Sequence, residues 1–203
     1  IIAGNVATRA GAEFLGDFGV NAIKVGIGGG SICTTRIITG VGVPQVSAIM
    51  NCAEIKQKYA DIKIIADGGI KHSGDIAKAI AVGADLVMIG SLLAGARETP
   101  TDIHESADGT KYKIYRGMAS RDSQVQKLGR DANDVVPEGV ATLVPFKGEA
   151  AKIVQKLVGG LRSAMSYTGA KTIKDFQEKV LITEITSGAF REGEPHAIYK
   201  RAY

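Results

Sequence analysis

Lys24-Val-Gly-Ile-Gly-Gly-Gly-Ser-Ile-Cys33-Thr-Thr-Arg36 decides how the rest of this chain is read. An apolar, β-branched run leads straight into glycines, then a serine, then a cysteine. Glycines let a backbone pass close to an anion and adopt positive φ at little cost. A run of exposed N–H groups in such a loop binds anions, and a serine hydroxyl adds a donor. A cysteine on the same loop can attack whatever the loop holds. Phosphate grip and nucleophile on one loop point to covalent chemistry on a phosphorylated small molecule. The plain alternative is a glycine-rich turn followed by a small, packed cysteine.

Working outward, apolar runs at 1–6, 22–28, 62–69 and 85–90 each end in glycine or a small polar residue. Such continuous runs suit parallel strands covered on both faces. Helical patterns lie between them at 10–18, 45–59 and 74–82, the last with Asp75 in its first turn, where negative charge suits the helix dipole. Strand–helix alternation implies βαβ units and a parallel sheet. The site-like residues Gly4-Asn5, Gly26–Gly30, Asp67-Gly68-Gly69 and Gly90-Ser91 all fall at the carboxyl ends of strands. In a (β/α)8 TIM barrel that rim carries the active site, whereas a doubly wound sheet places ligands only at its switch point. The expected fold is α/β, a TIM barrel of which this chain supplies the second half, roughly strands 5–8, as one catalytic domain over 1–203.

Residues 97–150 break the alternation. The stretch 99–115 is polar with β-prone fragments, and 116–134 is strongly charged, reading as a mobile active-site flap (about 116–138) over the rim. Closing helices are expected over 148–165 and 172–180, followed by an irregular tail from Thr186.

Composition narrows the partners. At 203 residues, with 45% hydrophobic and 23% charged residues, the chain has ordinary globular values. A net charge of +4 suits an anionic substrate, but the basic residues are scattered with no aromatic-basic platform, which argues against nucleic acid. No apolar run approaches the roughly 18 residues of a membrane helix. The two cysteines, Cys33 and Cys52, form no disulfide framework or metal pattern, so a cytoplasmic, reducing setting is expected. His72, His104 and His196 read as solvated side chains, and the Lys200-Arg201 end as a solvated terminus.

Five segments carry a resemblance: Gly28-Gly-Gly-Ser-Ile-Cys-Thr-Thr-Arg36, Ile65-Ala-Asp-Gly-Gly-Ile70, Met88-Ile-Gly-Ser-Leu-Leu-Ala-Gly95, Tyr115-Arg-Gly-Met118 and Gly159-Gly-Leu-Arg-Ser163. In this order they resemble the C-terminal half of the catalytic barrel in the inosine monophosphate dehydrogenase and guanosine monophosphate reductase family. The resemblance implies a purine nucleoside monophosphate substrate, NAD as cofactor, a bound potassium ion and a homotetramer.

By the same resemblance Cys33 attacks C2 of the purine and Thr35 handles protons beside it. Ser31, Gly69, Gly90 and Ser91 cradle the phosphate, Gly68 is a further substrate-binding residue, and Asp67 accepts from the ribose hydroxyls, for which a carboxylate is well suited. Tyr115, Arg116, Gly117, Met118, Ala119 and Glu138 hold the base. Asn5, Gly26, Ile27 and Gly28 border the nicotinamide. The potassium ligands are backbone carbonyls of Gly28, Gly30 and Cys33, with Glu192, Gly193 and Glu194 from a neighbouring subunit.

The chain also departs from the family pattern. Gly28-Gly29-Gly30 replaces the dehydrogenases' Gly-Pro-Gly or Gly-Ser-Gly. The dehydrogenase flap carries an Arg-Tyr pair whose arginine activates water. Here Arg121 and Arg130 are the flap arginines, and neither has the tyrosine. Reductases place a glutamate where Arg121 stands. Val136-Pro-Glu-Gly139, Gly169-Ala-Lys-Thr172 and the tail from Thr186 lean to the dehydrogenase. The expected function is NAD-dependent oxidation of inosine 5'-monophosphate through a cysteine thioimidate. The alternatives are an NADPH-dependent guanosine monophosphate reductase and an inactive truncated homologue.

Overall fold

The computed structural model describes residues 1–120, 123, 125, 131 and 136–195. Four strands, β1 (Ile2–Val6), β2 (Ala22–Val25), β3 (Lys63–Asp67) and β4 (Leu86–Met88), form a parallel sheet in the sequential order β1-β2-β3-β4, with no point at which the order reverses. The α/β class and the parallel sheet expected from the sequence are both present.

Each crossover carries a helix. α1 (Arg9–Asp17) starts where the Thr8 hydroxyl accepts the Gly11 N–H at 3.2 Å, satisfying one of the donors a helix start leaves open. The second crossover holds a short helix α2 (Thr35–Thr39), then α3 (Gln45–Ala53), which tightens into a 3₁₀ turn over Glu54–Gln57. The helical pattern read over 45–59 therefore ends earlier as α-helix than expected. α4 (Ser73–Ala81) follows β3, and the short α5 (Ser91–Ala94) follows β4.

Side chains alternate across the sheet, as the strand period of two requires. Ile23, Val25, Ile64 and Ala66 point one way and pack on Ala12, Ile49, Cys52, Ile55, Ile76 and Ile80 of the helical layer, all buried. Lys24, Asp67, Leu86 and Met88 point the other way, and Leu86 and Met88 are exposed. In this chain helices cover one face of the sheet. The double coverage expected from the apolar runs is not found among the described residues: the second face, with Lys24, Leu86 and Met88, carries no helix.

α6 (Ala150–Tyr167) lies along α4, close enough that a Cβ on Gly160 would collide with the Ser73 side chain. α7 (Ile173–Lys179) buries Phe176, and its Gln177 amide donates to the carbonyls of Ile80 (2.9 Å) and Ala84 (3.1 Å). The tail expected to be irregular forms α8 (Ser187–Glu192), capped by the Thr186 hydroxyl.

The stretch with β-prone fragments becomes a second sheet. β5 (His104–Glu105), β6 (Lys111–Arg116) and β7 (Ala141–Pro145) pair antiparallel in that order. Arg116 is thus the last residue of a strand rather than the start of a flap. His104, expected to be solvated, stacks on Tyr112 with ring centres 5.5 Å apart. Lys113 is buried, and its ammonium donates to the carbonyls of Arg97 (3.1 Å) and Thr99 (2.6 Å), tying this sheet to the chain after α5. Most of the flap, including Arg121, Lys127 and Arg130, lies outside the described residues, as does His196.

Candidate active site

The carboxyl ends of β2, β3 and β4 converge on a cleft of about 230 Å3. Gly29, Gly30 and Ser31 form one wall, Asp67, Gly68 and Gly69 the next, and Gly90 and Ser91 the third. Tyr115 closes it from the antiparallel sheet, with its hydroxyl so near Gly90 that a Cβ there would sit 2.9 Å from it. The structure therefore brings Ser31, Gly69, Gly90 and Ser91, read from the sequence as a phosphate cradle, to one cleft, and adds Tyr115, which the sequence reading had placed with the base. Lys71, not singled out in the sequence, also lines this cleft.

Two glycines are required by close approach. Gly26 has φ +147°, and any Cβ on it would strike the Asp67 carbonyl oxygen. Gly68 has φ +111°, and its Cβ would come 2.9 Å from the Gly29 carbonyl carbon. The two loops touch backbone to backbone, joined by the Gly69 N–H donating to Gly29 O at 2.8 Å.

The segment between α2 and α3 braces the glycine loop from behind. The Arg36 stem packs where Gly28 and Gly42 leave room, and its guanidinium donates to Val43 O at 2.6 Å. Gln45 donates to Val25 O at 2.8 Å, while its buried Oε1 stands against Gly26 and Gly29 with no hydrogen-bond partner among the described residues. Sequence reading missed Gln45, whose role depends on a fold-back that no local pattern announces.

Cys33 is half-buried at the loop's end, with its N–H donating to Gly30 O at 3.2 Å. Its thiol donates to Thr35 Oγ1 at 3.2 Å, and the Thr35 hydroxyl donates to Glu138 Oε2 at 2.7 Å. Glu138 is held by its backbone as well: Thr34 N–H donates to Glu138 O at 2.8 Å, and Glu138 N–H to Ala119 O at 3.1 Å. A thiol, a hydroxyl and a carboxylate thus stand in series, able to pass a proton between sulfur and carboxylate. Cys52 contrasts with it: it is fully buried, and desolvation pushes its thiol up to about 11.

On the helix-free face, Lys24 Nζ lies 2.8 Å from Asp67 Oδ2, and the Asn5 amide donates to the same oxygen at 3.0 Å and to Gly26 O at 2.9 Å. Asn5 thus joins Gly26 and Asp67, as its strand-end position suggested. Lys24 opened the motif in the sequence without being read as part of the site. Behind Asp67, burial pushes the Asp75 carboxyl up. Bonds from Lys78 and from the N–H groups of His72 and Lys71 outweigh that and hold it below the usual carboxylate range.

The remaining candidates sit apart. Met118 is exposed, and Gly117 packs beside Ile32. Ile27 is half-buried, its carbonyl accepting Val43 N–H at 3.4 Å. Glu192, Gly193 and Glu194 close α8 and line none of the cleft. Among the described residues no group of three His, Cys, Asp or Glu side chains could hold a metal ion, and no helix is long and apolar enough to cross a membrane.

Comparisons with known proteins agree with this fold. The family model for the IMP dehydrogenase / GMP reductase domain matches residues 1–196. An inosine-5'-monophosphate dehydrogenase from Aquifex aeolicus is 50% identical across 98% of this chain, which covers 41% of that protein. A GMP reductase from Leishmania donovani is 47% identical across 98% of the chain and 42% of its own length. A crystal structure of a cysteine-to-alanine variant of GMP reductase from Trypanosoma brucei, in complex with guanosine 5'-monophosphate, superposes with a TM-score of 0.91 at 45% identity, over 98% of this chain and 41% of that one. The chain spans about two fifths of the length of these relatives. By the family model and by the fold, this chain belongs to the IMP dehydrogenase / GMP reductase family of oxidoreductases.

Proposed function

We propose that this chain carries the covalent half of a dehydrogenase site, oxidising inosine 5'-monophosphate to xanthosine 5'-monophosphate with NAD. The observation that carries this reading is the Cys33–Thr35–Glu138 series beside the glycine-lined cleft. The sequential strand order supports the barrel reading, with these strands as its second half.

In this reading Ser31, Ser91, Tyr115 and the backbone around Gly68, Gly69 and Gly90 hold the 5'-phosphate, and Asp67 accepts from the ribose hydroxyls. The Cys33 thiol passes its proton through Thr35 to Glu138, and the thiolate adds to C2 of the purine. C2 then surrenders hydride, leaving a thioimidate on Cys33. Glu138 releases the Cys33 proton to solvent, and water adds to the thioimidate carbon. Thr35 and Glu138 take the water's proton, and the sulfur departs as thiolate and regains that proton along the same path. A nicotinamide dinucleotide supplies the hydride acceptor when bound. Asn5, Gly26, Ile27 and Gly28 would border it, with Gly26 and Gly28 at positive φ.

A monovalent cation on the Gly28, Gly30 and Cys33 carbonyls belongs to the same reading. Gly30 O spends one lone pair on Cys33 N–H and keeps the other. Glu192, Gly193 and Glu194 of a second subunit in a tetramer would complete the shell.

The reductase reading has its own support: the Trypanosoma brucei enzyme of such close fold binds guanosine 5'-monophosphate, and the same series of groups would protonate departing ammonia. Absorbance at the reduced-nicotinamide band separates the two. NADH appearing from inosine 5'-monophosphate and NAD supports the dehydrogenase. NADPH consumption with ammonia release from guanosine 5'-monophosphate, and no NADH in the first assay, overturns it.

A further inference from the structure

Asp67 meets Lys24 and Asn5 through a single oxygen. Oδ2 takes the Lys24 ammonium at 2.8 Å and the Asn5 amide at 3.0 Å, while Oδ1 has no partner among the described residues. The three side chains come from adjacent strands, and β4 adds the Met88 sulfur at 3.8 Å from Lys24 Nζ. The cluster therefore spans the whole parallel sheet on the face without helices.

Asp67 and Lys24 remain 26% and 29% exposed, so their pairing adds little to folding stability. Its geometric effect is larger. A carboxylate at a strand end rotates freely unless held, and two donors on one oxygen fix its plane and leave the other oxygen open. A carboxylate only accepts, so its ligand must bring donors, and vicinal sugar hydroxyls are such donors. We infer that Lys24, assisted by Asn5, is a positioning residue that fixes the Asp67 carboxylate for the ribose diol and so sets the preference for ribonucleotides over deoxyribonucleotides. The inference rests on the nucleotide reading above.

The test is calorimetric titration of the full-length protein with inosine 5'-monophosphate and with its 2'-deoxy and 3'-deoxy analogues. The wild-type protein is expected to favour the ribonucleotide by about tenfold or more, the usual scale of a hydrogen bond to a charged group. Lys24→Met is expected to cut that ratio at least threefold by weakening the ribonucleotide selectively, since the phosphate cradle is intact, and Lys24→Arg is expected to restore it. A ratio unchanged in Lys24→Met, or equal weakening of all ligands, overturns the inference. If Lys24→Met does not fold, as judged by its thermal melt, Lys24→Gln takes its place under the same criteria. Wild-type binding of all ligands with equal affinity overturns the inference and leaves the nucleotide reading standing. Wild-type failure to bind any of these nucleotides or guanosine 5'-monophosphate takes down both.

Discussion

Glu138 accepts the Thr35 hydroxyl at 2.7 Å across 103 positions of sequence. The backbone repeats the connection, since Thr34 N–H donates to Glu138 O and Val140 N–H to Ile32 O. The cysteine loop and the chain leading into β7 are therefore one structural unit. The carboxylate in line with Thr35 and Cys33 reaches them from the far end of the stretch read as a flap, just before β7.

Removing the nucleophile tests the chemistry directly. Cys33→Ala is expected to abolish turnover while nucleotide binding stays within several-fold, because the cradle is built from other residues. Steady-state rates and titrations check this. Retention of more than about a thousandth of wild-type activity would contradict covalent catalysis, given the usual scale of such losses.

Thr35→Val and Glu138→Gln interrupt one proton path at two points. Each is expected to lower kcat by roughly 10²–10⁴-fold, the usual worth of general acid–base catalysis. The double variant is expected to lose little more than either single one, because groups acting as a unit are not additive. Independent losses that multiply would show that the two side chains act separately.

The two thiols should differ in reactivity. At neutral pH the half-buried Cys33 is expected to react first with iodoacetamide, and Cys52 only on unfolding. Burial raises the Cys52 value from 9.0 to about 11, so its contribution to stability is complete below the unfolded value and is lost as pH rises from about 9 through 11. Cys52→Ala should remove that alkaline sensitivity, as read by melting at several pH values, and leave turnover nearly intact.

In the dehydrogenase reading, with no Arg-Tyr pair in the chain, hydrolysis of the thioimidate would fall to Thr35, Glu138 and whatever Arg121 or Arg130 contributes. Fast hydride loss followed by slow hydrolysis is expected. Stopped-flow mixing with inosine 5'-monophosphate and NAD would then give a burst of about one NADH per site. Arg121→Ala and Arg130→Ala are compared for loss of the slow phase alone; a trace with no burst would refute accumulation of the adduct.

Much of the parallel layer was legible because its signals are local. The apolar runs became β1 to β4, and Asp67-Gly68-Gly69 did mark a tight strand end facing the cleft. The second sheet was not legible as a sheet, because Tyr112 pairs with Pro145 across a long charged segment that carries no strand period. Lys24 looked like one polar residue inside an apolar run, since its partner Asp67 lies 43 positions on. The α8 helix was hidden by Gly188 and Gly193, which read as coil, while the Thr186 cap that starts it is a weak signal alone.

Tyr115 belongs to one sheet and Gly90 to the end of the other, and they meet across the cleft. A molecule seated there is a cross-link between two layers otherwise joined by contacts such as those of Lys113. Occupancy would then be felt well away from the chemistry, as slower amide hydrogen exchange along Lys111–Arg116 and Ala141–Pro145.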